Sequence, residues 1–394
     1  MNARWVLWLA APVVLGCTAR SPFANEPEPV FACRLLEGEG RHPFGVAVGD
    51  WNEDGRTDLA ASYTQGGTTI FSAGAERVFA AGPLIPSGPV SRGIAAGDID
   101  GDHHLDLVVA NANSWSVTIL RGDGKGGFAI ASAPYSGVSP FHAYLAQLDD
   151  DPRYDLVVPN ETNSAAPDAS GTVSVFLNLS IDEKQRPTLL TAGSRPAAVA
   201  IANFDEQAGD DLAVVNWGSG TLSLFRNLGK GRFGPAESSS FGGQLPYGVA
   251  TGDFNRDGKA DLAITDIVSA SVFIVDGDGQ GHFAPGRRFA AGSGVRHVAA
   301  GDLNNDGILD LATANTAAGT VSVLIGHGDG TFAAPRAVPV GPSPRVVMLA
   351  DVDGDGRQDV ITSLLGAREI AVLYQTDDGE VSCPSTVSVG DQNQ

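Results

Sequence analysis

The string GDLNNDGILDLAT at residues 301–313 returns six more times along the chain. The copies read GDWNEDGRTDLA from Gly49, GDIDGDHHLDLVVA from Gly97, AQLDDDPRYDLVV from Ala146, ANFDEQAGDDLAVV from Ala202, GDFNRDGKADLAI from Gly252 and ADVDGDGRQDVIT from Ala350. Counted from position 1 of each copy, at residues 50, 98, 147, 203, 253, 302 and 351, the steps are 48, 49, 56, 50, 49 and 49 residues. Each unit holds four short apolar runs. In the sixth they are Val298 to Ala300, Leu311 to Ala314, Thr320 to Ile325 and Phe332 to Val340, the last after the turn Gly326-His327-Gly328-Asp329-Gly330. Four strands per unit and seven units predict an all-β fold, a seven-bladed β-propeller of four-stranded antiparallel blades. A solenoid would have a shorter or helical period and distinct end caps.

Composition agrees with strands and turns. Of 394 residues, 50 are Gly, about one in eight where about one in fourteen is usual. Val, Ile, Thr, Phe and Leu come in short runs between Gly, Asp and Asn. With 43% hydrophobic residues the chain can bury a full core, so bulk disorder is excluded. The net charge of −21 repels nucleic acid and anionic membrane.

The pattern V-A-x-G-D-x-N-x-D-G-x-x-D-L, followed by an apolar strand and G-x-G-D-G-x-F, resembles the FG-GAP or VCBS repeat family, which includes the integrin alpha-subunit propeller and many bacterial surface and secreted proteins. The resemblance covers about residues 30 to 391. It implies a seven-bladed, calcium-binding propeller and no single activity. Phe31-Ala32-Cys33 and Val381-Ser382-Cys383 both match Phe332-Ala333-Ala334 at the start of an outer strand. The segments before the first motif and after the last therefore belong to one blade, which closes the ring. Cys33 and Cys383 are expected near each other, either as a disulfide clasp or as two unpaired buried thiols. A clasp closing so long a loop is worth on the order of 5 kcal/mol in the loop-entropy model.

Oxygen donors at positions 1, 3, 5 and 9, a backbone carbonyl at 7 and Gly at 6 suit a hard cation such as calcium and not zinc. No Glu stands at position 12, where the first copy has Ala61, and a strand follows instead of a helix, so the loop is not an EF-hand. Five copies are intact: Asp50, Asn52, Asp54 and Asp58; Asp98, Asp100, Asp102 and Asp106; Asp253, Asn255, Asp257 and Asp261; Asp302, Asn304, Asp306 and Asp310; and Asp351, Asp353, Asp355 and Asp359. Arg56, His104, Lys259, Ile308 and Arg357 would supply the carbonyls. The second copy has His103 in place of Gly at position 6. The third, with Gln147 and Pro152, and the fourth, with Asn203 and Gln207, are degraded, and hydrogen bonds are expected to hold those turns in place of metal. Of the 46 acidic residues, 22 occupy these 28 positions across all seven copies. Five calcium ions would bring the charge to about −11. The acidity thus reflects metal more than partners.

The N-terminus reads as an export signal. Arg4 precedes an apolar run from Trp5 to Leu15, too short to span a bilayer. Val14-Leu15-Gly16-Cys17 resembles the lipobox of bacterial lipoproteins, which implies cleavage before Cys17 and its acylation; an ordinary signal peptide cut further on is the alternative. The expected organisation is a signal peptide over 1–17, a linker over 18–29 rich in Pro, and the propeller over 30–391.

No hydrolase, metalloprotease or phosphate-loop signature occurs among the Ser, His and Gly residues, so no catalytic residue is named. The loops of a propeller alternate between its faces. Six residues before each motif stand Phe44, Arg92, Phe141, Ala197, Tyr247, Arg296 and Arg345, expected to ring the channel mouth opposite the metal loops. Trp115, Trp217 and the insertion Asn160 to Ser170 share that face. Three Arg and three aromatics suit a glycan or a carboxylated ligand, or they plug the channel and satisfy strand-end carbonyls. The chain reads as an exported, monomeric, calcium-binding module at the cell surface, a binding, adhesion or scaffold protein for a polysaccharide or another protein. It touches membrane only through its N-terminal lipid. A carbohydrate-active enzyme resembling polysaccharide lyases, working on one face, is the alternative, and a structural partner in an envelope complex is a third.

Overall fold

The computed structural model describes residues 30–37, 40–161, 169–207 and 209–376. Seven four-stranded antiparallel sheets follow one another around a ring. In the first blade the strands are Pro43–Gly49, Asp58–Tyr63, Thr68–Ala73 and Phe79–Ala81, from the channel outward. The second strand of every blade is six residues long and buried throughout, as in Asp310–Asn315. A strand covered on both faces has no polar side and reads as a continuous apolar run, not an alternation.

The seventh blade is closed by the chain's beginning. Its strands Pro344–Ala350, Asp359–Leu364 and Glu369–Thr376 are completed by Val30–Glu37, in unbroken register from Val30 opposite Thr376 to Glu37 opposite Glu369. Phe31 stands opposite Gln375, the counterpart of Gly326, which bridges Phe332 in the sixth blade. The first segment thus takes the outer-strand place expected of it. Cys383, and with it the disulfide, lies outside the described residues, as do the signal peptide, Cys17 and the linker. In the sixth blade the outer strand proper is Arg336–Pro339, and Phe332 precedes it as an isolated bridge with its ring packed inward.

The core is divided among the blade interfaces. Seven apolar clusters each join two neighbouring blades, and every one contains position 2 of a motif loop: Trp51, Ile99, Leu148, Phe204, Phe254, Leu303 and Val352. These side chains are at most 5% exposed, so the loop carries an apolar peg as well as its acids. The inner strands surround a channel of about 500 Å³ lined mainly by small aliphatic side chains with His142, Tyr144 and His297.

Candidate functional site

The motif loops come first, because one carboxylate does the same work in all seven. Position 9 is the first residue of the second strand, and its side chain is buried in each blade. One oxygen accepts the N–H of position 2 and the other an N–H near the end of the third strand. For Asp310 these donors are Leu303, at 2.8 Å, and Gly326, at 2.8 Å. Asp58, Asp106, Asp261 and Asp359 repeat the pattern in the other intact loops. Asp155 and Asp211 repeat it in the degraded ones. Burial pushes Asp211 and Asp261 up to about 6, and Asp310 and Asp359 up to about 7. Position 9 is therefore a staple between the loop and the sheet, whatever else it holds.

Positions 1, 3 and 5 shape the turn. Both oxygens of Asp50, Asp253 and Asp302 accept N–H groups from positions 5 and 6, as in Gly55 to Asp50 at 2.8 Å. In the loops with Asp at position 3, Asp98 and Asp351 take their donors from positions 4 and 6. Asn52, Asp100, Asn255, Asn304 and Asp353 each accept from the N–H of position 5. Asp54, Asp102, Asp257, Asp306 and Asp355 accept from Arg56, His104, Lys259, Ile308 and Arg357 at position 7. Position 6 is left-handed in every intact loop, including His103 at φ 73°. A side chain tolerates that region at a cost that Gly avoids. Position 4 is left-handed too, with Glu53, Arg256 and Asn305 there, a feature the sequence pattern does not mark.

Carboxylate oxygens of Asp98, Asp100 and Asp106, and of Asp351, Asp353 and Asp359, lie within 4.8 Å of one another. Such an all-oxygen set fits a hard cation. Arginines meet these acids from outside: Arg121 reaches Asp100 and Asp102 at 2.7 Å, and Arg77 of the first blade reaches Asp353 at 2.6 Å. Gln147 donates to the Pro152 carbonyl at 3.0 Å in the third loop, and Asn203 donates to the Gln207 carbonyl at 2.6 Å in the fourth. Those two turns are held by side-chain amides.

On the opposite face the inner strands bulge. The register slips between Pro43 and Val46, Ser91 and Ile94, Pro196 and Ala198, Pro246 and Val249, Val295 and His297, and Pro344 and Val347. Six mouth residues lie on these bulges, which turn a side chain out of the pleat. Phe44, Phe141 and Tyr247 meet as a buried cluster, with edge-to-face contacts at 5.5 and 5.6 Å. Arg92 lies over Phe141 at 4.8 Å and Arg296 over Tyr247 at 4.7 Å. Arg345 lies over Phe44 and Tyr247, and donates to the Tyr247 hydroxyl. The expected ring thus converges as a plug packed on itself, while Ala197 is only a buried filler.

Two further mouth residues occupy repeated positions with side-chain types that do not recur from blade to blade. Glu161, at the start of the insertion, pairs with Arg92 at 2.7 Å and accepts Trp217 Nε1 at 3.0 Å. Arg195 lies over Trp217 at 4.8 Å. Trp115 stays 45% exposed on the same face. Three of the carbonyls at the mouth are satisfied by hydroxyls and that of Phe141 by the Gly93 N–H, not by the plug. Ser62 donates to the Arg92 carbonyl, Thr265 to that of Arg296 at 3.0 Å and Ser363 to that of Phe44 at 2.8 Å, each across a blade boundary.

Solved structures with the same architecture include BBS1N in complex with ARL6DN, at 13% identity and a TM-score of 0.62, covering 89% of this chain and 98% of that one. Virginiamycin B lyase from Staphylococcus aureus aligns at 12% identity and a TM-score of 0.58, over 88% of this chain and 100% of that one. At such identities the likeness is one of fold. No curated protein matches the chain in sequence. The FG-GAP-like repeat model matches residues 50–109, 98–158, 209–264, 263–313 and 309–362, so that the gap between the second and third matches takes in the first six positions of the degraded fourth loop. The chain belongs to the FG-GAP-like repeat family.

Proposed function

We propose that the protein is an exported propeller of the cell envelope, anchored by lipid at Cys17. Its five intact loops bind calcium, and its channel mouth binds a polysaccharide or protein ligand, making it a binding, adhesion or scaffold module. The observation that carries the ligand site is the convergence of Arg92, Arg296 and Arg345 on Phe44, Phe141 and Tyr247 in a chain of net charge −21. A cationic, aromatic mouth on an acidic body favours ligands that pair with guanidinium groups. The convergent triads of the second and seventh loops support the calcium assignment.

Calcium would act by mass action on folding. With extracellular-type affinities of about 10⁻⁴ to 10⁻³ M, each site contributes about 1.4 to 2.7 kcal/mol at 10 mM calcium. Scanning calorimetry is expected to show a higher Tm in calcium than in EDTA, lowered toward the EDTA value by Asp98→Asn with Asp351→Asn. An identical Tm in both buffers refutes the metal role. Glycan-array binding lost in an Arg92, Arg296 and Arg345 triple Ala variant would support the mouth as the site; unchanged binding refutes it. Product release from a bound polysaccharide would favour an enzyme.

A further inference from the structure

The guanidinium groups at the mouth are unequally satisfied. Arg92 has Glu161. Arg296 has only the Tyr247 ring, and its Nε is enclosed without a hydrogen-bond partner. Arg345 has two rings and the Tyr247 hydroxyl, again with an orphaned Nε. Neither has an acidic partner among the described residues. Burial, with Arg296 and Arg92 nearby, holds Arg345 below its ordinary value. An aromatic face balances part of a cation's charge but accepts no in-plane N–H, so such groups remain short of acceptors. Cations drawn out of water without a counter-charge are costly. The fold accepts that cost at one place only partly covered by protein, since Arg296 and Arg345 both keep some exposure.

We propose that Arg296 and Arg345 receive a single carboxylate borne on an otherwise neutral glycan, a sparsely placed uronic acid residue. This rests on the mouth being the ligand site. Two guanidinium forks match a carboxylate's geometry. Trp217, partly exposed and 6.2 Å from Tyr247, gives the adjoining sugar a flank, with Arg195 on it. The net charge, −21 for the bare chain and still about −11 with five calcium ions, disfavours polyanions, so one isolated carboxylate is favoured over a polyuronate or a nucleic acid.

The test is calorimetric titration of the full chain in calcium with glucuronosyl-xylotetraose, against xylotetraose, polygalacturonate and a tetrapeptide bearing one aspartate. The expected result is binding of the glucuronoside at least tenfold tighter than each of the other three. Arg296→Gln is the decisive variant, because its one described side-chain contact is the Tyr247 ring and its loss leaves the plug packed. It is expected to weaken the glucuronoside at least tenfold without lowering Tm, since a cation short of a counter-charge is removed, whereas Arg288→Gln on an outer strand has no effect on binding. Equal binding of charged and neutral xylo-oligosaccharides overturns the carboxylate assignment while the mouth stands as a glycan site. Tighter binding of the aspartyl peptide overturns the glycan in favour of a protein ligand. No glucuronoside binding at millimolar concentration overturns the inference, and a silent glycan array would then remove the glycan ligand too.

Discussion

At the scale of single residues, the position-9 aspartate separates the two roles combined in the repeat. It accepts the same two backbone N–H groups in intact and degraded loops, so its contribution to folding does not depend on a metal. Asp211, held up to about 6 by burial, is the cleanest case, because its loop has Gln207 at position 5. Asp211→Asn turns one acceptor into a donor facing a backbone N–H and is expected to cost about 1–3 kcal/mol. Urea denaturation should give the same loss in calcium and in EDTA; a loss seen only in calcium would make the residue a ligand first. His297 supplies a pH test. Burial in the channel wall lowers its imidazole to about 4, so the unfolded chain takes up a proton below about 6.5 that the folded chain refuses until about pH 4. Its contribution therefore falls as pH drops through that window, by at most about 3 kcal/mol. The stability difference between the wild type and His297→Gln should shift against the wild type between pH 7.5 and 4.5. A constant difference would place the imidazole in water.

At the scale of the element, the motif loop is a joint between blades as much as the proposed cation loop. Position 2 donates its N–H to the staple and sends its side chain into the interface with the next blade. In three loops its carbonyl also accepts an N–H from the next blade's outer turn: Gly126 to Trp51, Gly281 to Phe204 and Gly330 to Phe254. Phe254→Ala is expected to cost about 3–5 kcal/mol in chemical denaturation, because the peg is 2% exposed and rigid strands surround it. A cost below about 1 kcal/mol would mean that the interface closes over the gap. The same joint explains what was legible in the sequence. Blade number, strand number and the five intact loops follow from residue spacing, because period and turn chemistry are local. The staple, the left-handed residue at position 4 and the hydroxyl bridges are set by pairing between strands and blades, and Ser62, Thr265 and Ser363 look like ordinary strand residues. Glu161 and Arg195 occupy repeated positions, but their residue types do not recur there, with Trp217 and His42 among their equivalents, so the repeat pattern does not mark them. The aromatics were expected at the mouth, but their packing on one another depends on channel width.

At the scale of the whole molecule, stability depends on closure. Each blade packs on two neighbours, and the seventh interface joins the last blade to the first through Leu36, Val46, Tyr63, Val352 and Tyr374. Val30–Glu37 completes that blade's sheet, so without it the strand Glu369–Thr376 presents an open edge. Deleting residues 30–37 removes a full strand ladder and takes Leu36, which is 6% exposed in the closed ring, out of the interface cluster. The interface between first and last blades then lacks its outer-strand contribution and is held by inner, second and third strands, so that opening there becomes independent of unfolding elsewhere. The deletion is expected to lower Tm by more than about 10 °C, and to separate the urea transitions followed by tryptophan fluorescence and by circular dichroism, which coincide only for an all-or-none unit. A synthetic peptide of residues 30–37 should restore part of the lost Tm by pairing with the open edge in trans, as added strands do at exposed sheet edges. Coincident transitions at an unchanged Tm would show that the seven interfaces alone hold the ring, and that the closing strand only covers an edge.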